Sequence, residues 1–437
     1  MCSYEERRQK FLEGMGEASV AIIPSGQEVL RTEDSAYRFR PESDFFYLTG
    51  VDEPDALLVL APHLSEEREV LFLAPRDPAR AVWTGARPAF EKVREIAGVD
   101  TVYTHDLFET SLAKYLTGAR RLYYQLGNLP DLDREIIREI RRLKRTRGRR
   151  SLVPVEIVDP GVLLHEQRLY KAPEEILTLQ IAAMITSQAH RLAMRVTRPG
   201  ISERTLETIL DAAFRMGGGE GPGYPTIVAC GANATTLHYV KNTAPLKDGD
   251  LVLVDAGCEF SFYTADITRT FPVNGRFSGP QRAVYEVVLK AQKAAIASIR
   301  PGVTMEDVHA VAVEVLTDGL VALGVLKGTV SDLVASEAYR PFFMHRTSHW
   351  LGMEVHDVGE YVREGKSREL EPGMVLTVEP GLYFRDGVDG VPETLKGIGV
   401  RIEDDILVTE EGHSLLTTDV PKEIDELEAL VGSERRK

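Results

Sequence analysis

Four acidic residues stand where a carboxylate is costly unless something compensates it. Asp255 follows the apolar run Leu251 to Val254, and Glu379 follows Met374 to Val378. Asp266 falls inside a second strand-like run, Ala265 to Phe271, and Glu403 inside Ile398 to Leu407. A carboxylate removed from water needs a partner charge, hydrogen bonds or a metal. Taken singly, each reads more simply as a turn or edge residue facing solvent. Taken as two matched pairs, they would repel one another on converging and hold their protons to higher pH. Divalent cations would remove that repulsion. Histidine adds to the pattern: of ten in the chain, His345, His349 and His356 fall within Met344 to Gly359. One histidine with four carboxylates makes a mixed nitrogen and oxygen donor set, which suits Mn, Co or Zn better than a sulfur site would. Two shared carboxylates could hold two ions ~3.5–4 Å apart, as in two-metal hydrolases. His63, His105, His165, His190, His309 and His413 read as ordinary core or surface histidines.

The elements that must carry these residues form an internal repeat. A helix-like stretch ending in Arg198-Pro199-Gly200 is followed by a second helix after Ser202. Another, Val284 to Ile299, ends in Arg300-Pro301-Gly302, and a further helix follows Thr304. Ser202 and Thr304 are both good N-caps. Each pair of helices leads to a strand that closes on a carboxylate, Asp255-Ala256-Gly257 in one half and Glu379-Pro380-Gly381 in the other. The halves are expected to pack with pseudo-two-fold symmetry, so that the four carboxylates meet between them. Upstream, Val20 to Pro24, Ala56 to Ala61 and Val70 to Ala74 read as buried strands and Ala89 to Ala97 as a helix, an α/β pattern. Asp133 to Lys144 reads as an amphipathic helix with Ile136, Ile137, Ile140 and Leu143 inward. The basic run Lys144 to Arg150 reads as a solvated helix end and linker. A boundary between about 150 and 172 divides the chain into an α/β domain over 1–160 and a catalytic α+β domain over 161–437. Ala172-Pro173-Glu174-Glu175 marks the next helix start. Lys422 to Val431 reads as a short closing helix, and 434–437 as a frayed tail.

Composition narrows the function classes. With 52 basic and 67 acidic residues among 437, the net charge is −15, which disfavours nucleic acid and anionic membrane as partners. Cys2, Cys230 and Cys258 cannot form a disulfide framework, and no run is long enough to span a bilayer. A soluble cytoplasmic protein is expected. The glycine-rich stretch from Gly217 to Gly223 contains Pro and follows a helix, so it reads as a loop and not a dinucleotide fingerprint. Walker A, His-Glu-x-x-His and Gly-x-Ser-x-Gly sequences are missing. Cys258 reads as a small buried residue.

The segment Ser348-His349-Trp350-Leu351-Gly352, with Val355-His356-Asp357-Val358-Gly359 after it, resembles the Xaa-Pro aminopeptidase (aminopeptidase P) family of pita-bread metallopeptidases. Tyr37 to Gly50 resembles that family's N-terminal domain. The resemblance covers nearly the whole chain and implies an α/β N-terminal domain followed by a pita-bread domain. It implies five metal ligands: Asp266 and Glu403 bridging two ions, Asp255 completing one site, and His349 with Glu379 the other. His238, His345 and His356 would line the substrate site, and Arg401 would contact the cluster. Arg346 departs from the family, where many members have Gly, and Glu354 stands where Asp is common. The reaction implied is hydrolysis of the bond before a penultimate proline by a metal-bridging hydroxide. His356 would stabilise the oxyanion, Glu379 would pass a proton to the proline nitrogen, and His345 and His238 would wall the proline ring. Prolidase, restricted to dipeptides, is the nearest alternative, and a non-catalytic pita-bread binding protein a more distant one. The resemblance also suggests a homodimer or homotetramer, with Trp83 either in the N-terminal core or reaching a neighbouring active site.

Overall fold

The computed structural model describes residues 4–146 and 152–436. Cys2, the part of the basic run at 147–150 and the last residue of the tail, Lys437, lie outside the described residues. Two compact units divide between Gln167 and Arg168.

The first unit is built on a six-stranded sheet in the order Thr101–Thr104, Glu69–Leu73, Leu57–Leu60, Ser19–Pro24, Arg121–Tyr123, Glu156–Val158. Leu57–Leu60 runs antiparallel to both neighbours, and the remaining pairs are parallel. Its central runs are buried along their whole length, which is what strands covered on both faces require. The helix Pro130–Thr146 packs Leu132, Ile136, Ile140 and Leu143 inward and starts acidic and ends basic, in keeping with its dipole. Ile137, expected on the same face, is exposed, because one helical step of ~100° carries it off the stripe. Trp83 is not a core aromatic: it is 88% exposed on the short helix Pro78–Thr84.

The second unit contains the repeat. Helices Pro173–Val196 and Glu203–Met216 form one pair, and Gly279–Ser298 and Met305–Ala322 the other. Ser202 and Thr304 each accept a hydrogen bond from the backbone N–H three residues on. The likeness extends to backbone pairing. Gly200 and Gly302 donate to Leu246 and Leu370, which donate back to Ile201 and Val303. In the first half Leu251–Asp255 pairs antiparallel with Thr268–Pro272, and in the second Val375–Val378 pairs with Asp404–Thr409. Helix faces and sheet faces meet in one large core that includes Phe214, Val252, Phe271, Tyr285 and Leu427. The closing helix Ile424–Leu430 buries Ile424 and Leu427 there. The glycine-rich stretch is a loop except at Gly221–Pro222, which forms a two-residue strand with Cys258–Phe260.

Asp266 and Glu403 do not lie inside strands as expected. Asp266 precedes Thr268–Pro272, and Glu403 sits in a break between Gly399–Arg401 and Asp404–Thr409. The breaks have a physical reason. The Asp266 N–H donates to the Asp405 carboxylate instead of a ladder carbonyl, and the Glu403 N–H donates to the Thr268 carbonyl across the repeat. Two glycines permit the close approach. A Cβ on Gly257 would fall 1.7 Å from the Ala265 carbonyl oxygen, and one on Gly381 2.8 Å from that of Val400. No helix among the described residues is long and apolar enough to cross a membrane.

Candidate metal centre and active site

All four carboxylates and His349 converge from the two halves of the repeat. Asp255, Asp266 and Glu403 are buried, and Asp266, His349 and Glu403 each present a donor atom within 4.8 Å of the others. The His349 Nδ1–H donates to the Trp350 carbonyl at 3.0 Å. That contact fixes the tautomer and leaves Nε2 facing the acids, 3.4 Å from Asp266 Oδ2 and 3.7 Å from Glu379 Oε1. Its backbone is held against Thr377 on the strand that Glu379 directly follows.

The electrostatics of the cluster follow from how closely these groups are packed. Burial pushes Glu379 up to about 8. Burial, and then the neighbouring acids, also raise Asp266 and carry Glu403 well above the usual carboxylate range. Burial opposes a charged His349, yet Asp266 and Glu379 outweigh it and lift the imidazole to about 9. The fixed cation in the cluster is Arg401, which donates to Asp255 Oδ2 at 2.6 Å. Acids crowded this closely keep their protons to higher pH, and a mixed oxygen–nitrogen donor set of this kind fits divalent cations.

Around the cluster stand residues that spacing did not reveal. The Tyr224 hydroxyl lies 2.8 Å from Asp255 Oδ1 and 2.5 Å from Asp266 Oδ1, and its single proton serves one of them at a time. Thr268 donates to Glu403 at 2.7 Å and accepts from Arg401 Nε. Tyr383 accepts from Arg401 and donates to His345 Nε2, while His345 Nδ1–H donates to the Arg346 carbonyl. Both nitrogens of His345 are therefore engaged. Burial holds its ring at about 3, neutral, and its Nδ1 edge lies 3.6 Å from Glu379. Tyr383 could have been noticed only as the aromatic four residues after Glu379.

A cavity of about 820 Å³ opens over the cluster, large enough for a peptide of several residues. His238, His345 and His356 all line it. His356 meets His349 edge to face at 4.5 Å between ring centres, and burial lowers its basicity. The loop carrying His238 is held by Glu203, a fully buried carboxylate that accepts from Cys230 N, Asn233 Nδ2, Tyr239 Oη and Ala244 N. His309, read from the sequence as an ordinary histidine, also lines the cavity, with its Nδ1 2.8 Å from the Thr347 hydroxyl. It shares a helix face with Met305 four residues earlier, which was the available signal. His190 is buried and donates to the Ala256 carbonyl, in keeping with its plainer reading. Cys258 is likewise buried and free.

Comparison with known proteins agrees with this architecture. Residues 178–410 match the metallopeptidase family M24, and residues 4–123 match the aminopeptidase P N-terminal domain. The chain is 43% identical to the Xaa-Pro aminopeptidase of Escherichia coli over 434 residues, covering 99% of this chain and 98% of that protein. It is 45% identical to the Haemophilus influenzae Xaa-Pro aminopeptidase over 429 residues, covering 98% and 96%. Among solved structures, aminopeptidase PepP of Pseudomonas aeruginosa superposes with a TM-score of 0.96 at 45% identity, over 99% of this chain and 98% of that one. Escherichia coli aminopeptidase P bound to the inhibitor Pro-Leu gives 0.95 at 43% identity, over 100% and 99%. The chain belongs to metallopeptidase family M24, with an aminopeptidase P N-terminal domain ahead of a pita-bread catalytic domain.

Proposed function

We propose that this protein is a Xaa-Pro aminopeptidase, a dinuclear metallohydrolase that removes the residue preceding a penultimate proline. The observation that carries the reading is the convergence of four carboxylates, three of them buried, with one tautomer-locked histidine at the floor of a peptide-sized cavity. Asp266, Glu403, Asp255, His349 and Glu379 would hold two ions, Asp266 and Glu403 serving both, Asp255 one, and His349 with Glu379 the other. Mn is the first choice, with Co or Zn as alternatives. The chemistry that such ions would supply when bound is Lewis acidity and a water acidified towards neutral pH.

The chain's own residues do the rest. Arg401 fixes Asp255. His356, on the cavity wall, donates to the substrate carbonyl oxygen as it becomes anionic. Glu379 passes a proton to the proline nitrogen, which carries none in the substrate and must gain one to leave. His238 and the face of His345 wall the proline ring. The protein is further proposed to act as a homodimer or homotetramer, for which Val82 and Trp83 offer exposed apolar surface. A cytoplasmic setting fits its free cysteines Cys230 and Cys258. Incubating the Mn-loaded protein with Ala-Pro-Ala and with Ala-Pro tests the assignment. Release of alanine from the tripeptide supports it, whereas hydrolysis of the dipeptide alone points to a prolidase.

A further inference from the structure

The cavity continues past the place where a leaving proline would sit, and its chemistry changes there. Glu379 and His345 mark the leaving side, with 3.6 Å between Glu379 Oε2 and His345 Nδ1. Beyond His345 the wall runs through His309 and Arg346, and the buried Phe343 behind it packs its ring 4.9 Å from His345 and 5.5 Å from His309. Among the described residues lining the cavity, the guanidinium groups are those of Arg401 and Arg346. Arg401 is buried and committed to Asp255, Thr268 and Tyr383. Arg346 is different. Its side chain is 70% exposed, and its contact with Glu306 is a loose 3.9 Å. Such an exposed pair is worth little and is readily exchanged for another anion. The charge of Arg346 is also felt across the cavity: after burial, it is the largest influence lowering His309, to about 4.

We propose that Arg346 is a specificity-determining residue that receives negative charge on the leaving side of the scissile bond, chiefly the free α-carboxylate of a tripeptide Xaa-Pro-Yaa. This deepens the Xaa-Pro aminopeptidase reading and rests on it. An extended peptide advances ~3.3–3.6 Å per residue, so the carboxylate of Yaa lies about two residues beyond the scissile carbonyl. That is within reach of an arginine rooted beside His345. An acidic side chain at Yaa presents the same chemistry from a second source.

The test uses the Mn-loaded full-length protein with three substrates: Ala-Pro-Ala with a free carboxylate, its C-terminal amide, and Ala-Pro-Asp amide. The wild type is expected to prefer the free acid over the amide by about fivefold in kcat/KM, mainly through KM. Arg346→Gly should abolish that preference while leaving cleavage of the amide unchanged. Arg346→Lys should keep part of it, and Arg346→Glu should reverse it. If Ala-Pro-Asp amide alone regains the preference, the side chain and not the terminus is the anion received. An acid-to-amide ratio that is the same in wild type and Arg346→Gly overturns the proposal. Failure of the wild type to cleave any of the three would instead overturn the underlying function.

Discussion

At His349, one hydrogen bond decides what the side chain can do. Because Nδ1–H is given to the Trp350 carbonyl, Nε2 is the nitrogen offered to the acids. His356, edge-on to the same ring, has no such tie to the cluster and faces the cavity. The two therefore separate experimentally. His349→Ala should lower metal occupancy together with activity. His356→Ala should keep both ions and lose about a hundred- to a thousandfold in rate, the usual effect of removing one preorganised donor. Substrate binding should change less than turnover, because the charge develops only in the transition state. Elemental analysis paired with kinetics checks this, and metal loss in His356→Ala with retention in His349→Ala would reverse the roles. Asp266→Ala and Glu403→Ala should each lose metal and nearly all activity. Two tightly held ions in either variant would contradict the bridging assignment. The four carboxylates were legible in the sequence because they interrupt or end apolar runs, whereas the choice of His349 among three nearby histidines rested on the resemblance of Ser348 to Gly352 to the aminopeptidase P family. Tyr224, Thr268 and Tyr383 were not legible, since a hydroxyl contact across more than thirty, or more than a hundred, residues leaves no periodic trace.

Elements deliver these side chains by ending where regular pairing would turn them away. The strands were legible from their apolar runs, but the breaks at Asp266 and Glu403 were not. They depend on Asp405 and Thr268 taking over backbone hydrogen bonds, which only the packed repeat shows. The loop carrying His356 is anchored through its neighbour. Asp357 is buried and accepts from Arg168 at 2.6 Å and Lys171 at 3.0 Å. Burial pushes Asp357 up, but Lys171 and then Arg168 outweigh it and hold the carboxyl below the usual range. A carboxylate with a depressed folded-state pKa contributes stability above its unfolded value of ~3.9, and that contribution disappears as pH falls through the folded value. Asp357→Asn should therefore lower stability at pH 7, by about 3–5 kcal/mol, because buried Lys171 and Arg168 both lose this carboxylate's charge. It should also flatten the acid limb of the stability curve below about pH 4. Urea unfolding from pH 7 to pH 3 measures both, and an acid limb as steep as that of the wild type would show that Asp357 is not the titrating group.

On the scale of the molecule, the repeat and the cluster are one feature. Asp255 and Asp266 come from the first half and Glu379 and Glu403 from the second, so the acids repel across the seam that the shared core closes. Cations between them would act as a staple. Stripping the protein with chelator should lower its melting temperature, and Mn should restore it. At a thousandfold excess of ion over Kd, the stabilisation is about 4 kcal/mol per site. A melting temperature indifferent to chelator would argue that the seam is not held by metal. The repeat was legible because Arg-Pro-Gly occurs twice at matching places, followed each time by helix, strand and carboxylate.

The most direct test joins metal to chemistry in one titration. Metal-free protein is given Mn in steps, bound ion is counted per chain, and release of the first residue from a Xaa-Pro-Yaa tripeptide is followed at each step. The account predicts no turnover without metal and a rise that completes as occupancy reaches two ions per chain. Full turnover in the stripped protein, or two bound ions with no cleavage, would contradict it.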